Sequence, residues 1–515
     1  MSNFDLKNIH GIEDISYNGE FAGSKQKNTA TFAERMNTNG KIVENIEEAI
    51  KASGLKDGMT ISFHHHFRNG DHIVNMVMDA IAKMGIKDIV VAASSLQAIH
   101  APLVEHIKNG VVKRIETSGL RGELAKEISH GLMDTPVVFR SHGGRAAAIA
   151  NGELHIDVAF LGAPSSDAYG NANGFSRVEG HTVNCGSLGY AMVDAQYADK
   201  VVILTDCLVD YPNTPCMIPE NNVDYVVKVD SIGDPNGIMS GATRYTKNPK
   251  ELLIASMTAD VVEASGYLYD GFSMQMGSGG ASLAAARFIR EKMIEKNIKA
   301  SFALGGITGQ ITAMHEEGLI GKVLDVQSFD LIAAESLKNN FYHQFISGED
   351  YASYANKGAA THELDFCILS ALEIDNNFNV NVVTGSDGIV MGAIGGHPDA
   401  AAGASLTIVV GPLCRGRIPT VVENVTTITT PGSVVDVFVT EQGIAVNPNR
   451  PEIKERLVNA GLPVYDIKQL QERAYRLVGT PDPIKFKDKV IGLVMYRDNT
   501  VIDVVREIGE YDYNE

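Results

Sequence analysis

Tryptophan is absent from this 515-residue chain, and cysteine is scarce. Cys185, Cys207, Cys216, Cys367 and Cys414 are an odd set with no CxxC pair. That spacing argues against a disulfide framework and a structural zinc site, and predicts reduced, buried thiols in a cytoplasmic protein. No run approaches the roughly 18–20 apolar residues that a membrane-spanning helix needs. Residues 1–41 are polar and mixed in charge, without the apolar stretch of a secretory signal. Positive charge is in deficit: 44 Lys and Arg face 63 Asp and Glu, a net charge of −19. Such a field repels a phosphate backbone, which argues against a nucleic-acid partner. Proline is sparse at 17 residues against 50 glycines, and the glycines follow no Gly-X-Y period, so they point to tight turns.

What is present is an ordinary globular composition, 44% hydrophobic and 21% charged. At about 100–200 residues per domain, the length predicts two to four domains. An internal repeat narrows that range. An amphipathic helix over Ile46–Ser53 runs into Asp57-Gly58 and an apolar strand, Met59–Phe63; a helix over Leu252–Ser265 runs into Asp270-Gly271 and Phe272–Met276. The two Asp-Gly turns stand 270 − 57 = 213 residues apart. Further on, Asp157–Ala163 leads to Asp167, Asn171 and Asn173, and Asp365–Ala371 leads to Asp375, Asn379 and Asn381, each pair 208 apart.

Short β-branched strands alternating with helical patterns predict parallel strands with crossover helices. The expected fold is therefore α/β: two tandem, similar, Rossmann-like parallel-sheet domains over 46–240 and 241–515, after an N-terminal extension over 1–45. Ser231–Lys250 reads as the linker. In parallel sheets ligands collect beyond the carboxyl ends of the strands, so two such units facing each other could enclose one site.

Glycine-rich loops follow four predicted strands: Gly143-Gly144, Gly277-Ser-Gly279-Gly280, Gly305-Gly306, and Gly392-Ala-Ile-Gly395-Gly396-His397-Pro-Asp399. Adjacent glycines let a backbone approach a ligand and offer N–H groups to an oxyanion, though each loop alone reads equally well as a tight turn. His64-His65-His66-Phe67-Arg68 sits just past the first strand. Neighbouring strand residues face opposite ways, so the triplet is not expected to bind one metal, and no metal site is expected elsewhere. The stretch reads either as polar loop packing or as a group that positions an anionic substrate, with Arg68 as the fork donor. Arg145 and Arg417 are either solvated surface charges or grips for a carboxylate. Asn379 and Asn381, with Asp375, either build Asx turns or face a ligand.

These segments resemble the CoA-transferase superfamily. Leu369–Asp375 leading to Asn381, Gly395-Gly396-His397-Pro-Asp399, Gly416-Arg417-Ile-Pro and Val439-Thr-Glu441-Gln-Gly443 follow that family's order. The stretches Asp57–Gly70, Ala101–His106, Thr117–Gly122, Gly186–Tyr190 and Leu324–Asp330 are similar, more narrowly, to the family of citrate lyase alpha subunits. The resemblance implies a CoA-transferase-like fold. It also implies transfer of a thiol from an acetyl thioester to citrate, giving citryl thioester and acetate.

Under that resemblance Gly279, Gly280, Gly305, Gly306, Gly395 and Gly396 would serve the oxyanions. His64, His65, Arg68, Arg417, Asn379, Asn381, His397 and Asp399 would hold substrate. The thiol would be the CoA-like phosphopantetheine arm of an acyl carrier protein, with acetyl-CoA as a substitute and no covalently bound cofactor. The implied partners are a citryl-lyase beta subunit and the carrier-protein gamma subunit, in an oligomer. Covalent CoA-transferases place a nucleophilic glutamate where this chain has Ser301–Thr308, which holds no carboxylate. The resemblance therefore implies direct transfer through a citryl–acetyl mixed anhydride. Two alternatives stand beside it: a glutamyl thioester on Glu373 or Glu441, and a non-catalytic sensor or scaffold on a related isomerase-like fold.

Overall fold

Runs such as Ile89–Ala93, Val158–Gly162 and Leu406–Val410 are apolar throughout, and every residue in them is buried. A strand covered on both faces belongs in a parallel sheet packed by helices, and that is where each lies. The structure, a computed structural model, describes residues 40–239 and 246–509. The extension expected over 1–45 thus lies, up to residue 39, outside the described residues.

The first large sheet has ten strands. From one edge they are Ile42–Val43, Tyr225–Lys228, Lys200–Thr205, Val158–Gly162, Thr60–Phe63, Ile89–Ala93, Val112–Thr117, Val137–Phe139, Phe486–Met495 and Val501–Ile508. All pair in parallel except the last two, an antiparallel hairpin. The second has nine: His343–Phe345, Ile320–Ser328, Ala300–Ile307, Ser273–Met276, Phe366–Ser370, Leu406–Val410, Val437–Thr440, Gly443–Val446 and Val464–Tyr465. Centred on Thr60–Phe63 in one sheet and Ser273–Met276 in the other, seven strands follow in the same order.

The repeat holds down to single hydrogen bonds. The Asp157 carboxylate accepts from the Thr60 N–H at 2.7 Å, and that of Asp365 from Ser273 at 2.8 Å, each tying the central strand to its neighbour. Ser165 pairs with Asn173 in a small antiparallel ribbon, and Glu373 pairs with Asn381. Both members of that second pair are 208 residues on.

The halves are nevertheless interleaved. The C-terminal hairpin pairs through Phe486–Met495 with Val137–Phe139 of the first sheet. Val383, Val390 and Ile394 pack into the core around that same sheet. The division expected at 240/241 therefore does not partition the sheets. Nor is the start of the expected linker loose: Ile232 and Ile238 are fully buried, and Gly233 pairs with Asp71. All five cysteines are unpaired thiols, Cys216 half-buried and the others buried. Among the described residues no helix is long and apolar enough to cross a membrane.

Candidate functional site

The strand ends of the two sheets meet around a buried group of rings from the first half. Phe63 ends the central strand, and the backbone then carries His64, His65 and His66, all buried, into the turn Arg68–Gly70. Helix His142–Ala150 starts with its own imidazole, and helix Gly189–Tyr197 with Tyr190. His65 stacks on His142 at 5.5 Å and on Tyr190 at 5.2 Å; His142 lies 4.3 Å from Tyr190, His66 5.7 Å from Tyr190, and His64 4.3 Å from His66.

Each imidazole is held differently. His64 donates through Nε2 to the Gly162 carbonyl at 2.9 Å, and His65 Nδ1 meets the Ser94 hydroxyl at 2.5 Å. Neither nitrogen of His66 has a protein partner, nor does His142 Nδ1 or His64 Nδ1. Burial lowers all four, His65 and His66 well below the ordinary histidine range and His142 to about 3, with Arg68 and Arg145 adding repulsion at His142. At neutral pH this is a stack of uncharged rings with unused nitrogens.

Arg68 supplies the charge. It is buried, sits in the left-handed region at φ 53°, and lies over the Phe329 ring at 5.4 Å. Burial and then Arg121 lower it to about 10, so it stays cationic at neutral pH. A non-glycine residue in that conformation carries strain, which the surrounding packing must hold in place.

A closed ring of contacts joins this group to the second half. Phe329 lies against Gly306, where an added Cβ would come within 2.0 Å of its ring. Gly305, at φ 102°, lies under the Gln275 side chain. Gln275 donates to the Tyr351 hydroxyl at 3.0 Å, and that hydroxyl borders Gly396. The Gly395 carbonyl accepts from the His142 N–H at 2.9 Å. Gln327 closes the ring, donating to the His65 carbonyl at 3.0 Å.

Of the residues expected from sequence, the structure thus brings together His64, His65, Arg68, Gly305, Gly306, Gly395 and Gly396. Gly279 and Gly280 stand one step away, Gly279 against Ser370, whose carbonyl accepts from His397.

Other expected substrate groups are already engaged. His397 donates to Ser370 and accepts from the Thr430 hydroxyl at 2.7 Å, so both its nitrogens are occupied. Asp399 accepts from Ser141 at 2.9 Å and from the Gly143 N–H at 2.8 Å, fastening the helix that carries His142 to the second half. Asn379 bonds Asp375 and Gly432, and the Asn381 amide is saturated by Glu373, Val383 and Thr384. These asparagines build the turns. Arg417 is exposed on the tip between Cys414–Arg415 and Ile418–Pro419.

The two alternative nucleophiles are also committed. Glu373 accepts from Asn381 and from Thr426, and Glu441 accepts from Leu413 and pairs with Lys250. Arg145 is no surface charge; it is buried in a two-pronged pair with Asp194, at 2.7 and 3.0 Å. Sequence reasoning did not single out His142, Tyr190, Gln275, Gln327, Phe329 or Tyr351, and of the His64–His66 triplet it named only His64 and His65. His142, Tyr190, Gln327 and Phe329 nevertheless lay in segments singled out for similarity or for a neighbouring residue. Surface cavities of about 410 and 790 Å³ lie elsewhere, lined by none of these residues.

Asp399 gives a pH signature. Burial raises it to about 6 from an ordinary carboxyl value near 3.9. The folded state therefore holds this proton more tightly, and the stability it contributes is present below about pH 4 and lost as pH rises through about 6. Asp399→Asn is expected to flatten the fall in unfolding free energy across that window by up to about 3 kcal/mol, measured by urea unfolding at several pH values.

Comparison with known proteins agrees over most of the chain. The model for the family "Citrate lyase, alpha subunit (CitF)" matches residues 39–508. The citrate lyase alpha chain of Haemophilus influenzae is 58% identical over 470 residues, 91% of this chain and 93% of that one. A structure of a citrate lyase alpha subunit from Streptococcus mutans, in complex with citrate, superposes with a TM-score of 0.89 at 54% identity over 99% of each chain. A malonate decarboxylase alpha subunit from Acinetobacter baumannii, 16% identical over 87% of this chain and 94% of that one, shares the fold at a TM-score of 0.62.

Proposed function

The chain belongs to the citrate lyase alpha subunit family, and from that membership we propose that it transfers a thiol from an acetyl thioester to citrate within the cleft between its two sheets. The observation that carries this reading is the 54% identity, over 99% of each chain, to an alpha subunit whose structure was solved with citrate. The donor thiol is the phosphopantetheine-type arm of an acyl carrier protein, and acetyl-CoA substitutes for it. The acceptor's citryl thioester then passes to a lyase subunit, so the chain works inside a cytoplasmic oligomeric complex.

The chemistry runs directly between substrates. A citrate carboxylate oxygen attacks the acetyl carbonyl, the C–S bond breaks, and the thiolate leaves a citryl–acetyl anhydride. The thiolate then attacks the citryl carbonyl, and acetate departs with the bridging oxygen. Thioester is exchanged for thioester, so the task is alignment, which can contribute roughly 7–11 kcal/mol in good geometry.

Arg68 anchors a citrate carboxylate through its planar fork. The histidine and tyrosine rings fill the dry wall beside it. The backbone at Gly305-Gly306 and Gly395-Gly396, which tolerates no side chain at the Phe329 and Tyr351 contacts, is the surface nearest the reacting carbonyls. Purified protein given citrate and acetyl-CoA should release acetate and form citryl-CoA in equal amounts. No release with either acetyl-CoA or an acetylated carrier protein overturns the proposal, and binding without turnover would instead describe a sensor.

A further inference from the structure

Citrate is a trianion above neutral pH, whereas the buried cations nearest the ring stack are few. Arg145 is committed to Asp194, Arg121 is half-buried and donates to the Met391 carbonyl, and Arg68 lies over the Phe329 ring. Even two full guanidinium charges from Arg68 and Arg121 would leave one carboxylate of a tricarboxylate unbalanced, and an unbalanced charge in a buried site is expensive. The protein holds a group able to supply the missing charge. Both nitrogens of His66 and Nδ1 of His142 are buried without a protein partner, on rings that lie 5.7 and 4.3 Å from Tyr190.

Resting on the citrate reading above, we propose that His66 and His142 are the cleft's reserve cations: as the tricarboxylate enters, one proton passes from solvent onto this pair, and that uptake distinguishes citrate from acetate. The groups facing the pair are consistent with this. His66 faces His64, His65 and His142; His142 faces Arg145 and Arg68. All of these repel a proton while no anion is present, so the rings start neutral. His64 is a poorer candidate, because it already donates to Gly162 and feels Asp71 and Asp194. Tyr190, between the rings, feels Tyr351, Asp399 and Asp325 and is pushed well above its ordinary range, so it contributes no negative charge. An entering carboxylate reverses the balance at the imidazoles and accepts their hydrogen bonds. Acetate, with one charge, calls for fewer positive groups than a tricarboxylate.

The test is calorimetric titration of the wild-type protein with citrate and with acetate at about pH 8, in two buffers of different ionisation enthalpy. Citrate should bind with uptake of about one proton and acetate with almost none. Spectra of protein carrying 15N-labelled histidine should show an imidazolium signal appearing with citrate and not with acetate. Equal citrate enthalpies in the two buffers would overturn the proposal. So would proton uptake with every imidazole remaining neutral, since the proton would then sit on citrate itself. Absence of any citrate binding would remove the citrate reading of the site, a different failure from binding without proton uptake. His66→Gln with His142→Gln should lower citrate affinity at least tenfold and abolish the uptake; full uptake in that double variant would also overturn it.

Discussion

Asp194→Ala is expected to destabilise the protein by about 3–5 kcal/mol, the cost of leaving a buried guanidinium without its partner. Asp194 is fully buried and Arg145 nearly so, and their two hydrogen bonds join helix Gly189–Tyr197 to helix His142–Ala150. Arg145 also donates to the Ala92 carbonyl at 2.9 Å, so it cannot swing out without releasing the end of a core strand. Those two helices begin with the site's His142 and Tyr190, and the same substitution should lower turnover even in protein that remains folded. The urea midpoint of the variant measures the effect. Arg145→Met combined with Asp194→Leu should recover most of the stability, because the stranded charge is then gone. A single-variant loss below about 1 kcal/mol would mean that water reaches this pair.

Arg68→Ala should reduce kcat/KM for citrate by about 100-fold or more, the range expected when one partner of a buried, hydrogen-bonded charge pair is removed. Acetyl-thioester binding should change far less, since the thioester carries no charge at its carbonyl. Arg68→Lys should rescue little, because an ammonium cannot match a carboxylate with two parallel bonds. Arg68→Gly separates folding from function: glycine adopts φ 53° without strain, so this variant should keep its backbone geometry yet lose citrate use like the alanine variant. Equal losses for citrate and acetyl thioester would remove Arg68 from the citrate role.

Much of the architecture was legible because duplication writes itself twice. Asp57 and Asp270 accept from Lys87 and Lys299, as Asp157 and Asp365 accept from Thr60 and Ser273, so spacing in the sequence became register in the sheets. The return of Phe486–Ile508 to the first sheet left no such mark, since a strand at the chain's far end carries no label for its partner. The same symmetry left two readings open at Asn379 and Asn381. An Asx turn and a ligand site both place amides at strand ends, and only the saturated hydrogen bonds distinguish them.

Arg417 drew notice as a cation in an acidic chain, but the short hairpin lifts it into solvent. His142 and Tyr190 escaped because their meeting with the histidine triplet depends on three separate strand ends and on no spacing. Asp399 was legible as a marked residue, though not as the fastening that it makes across the halves.

Direct transfer is tested most sharply by following oxygen. Citrate labelled with 18O in its carboxylates is mixed with acetyl thioester, with protein in excess so that each molecule turns over once. Transfer through the mixed anhydride leaves one citrate oxygen on the departing acetate, so first-turnover acetate should carry a single 18O by mass spectrometry. A glutamyl route would put an enzyme oxygen there instead, and unlabelled first-turnover acetate would contradict the direct mechanism.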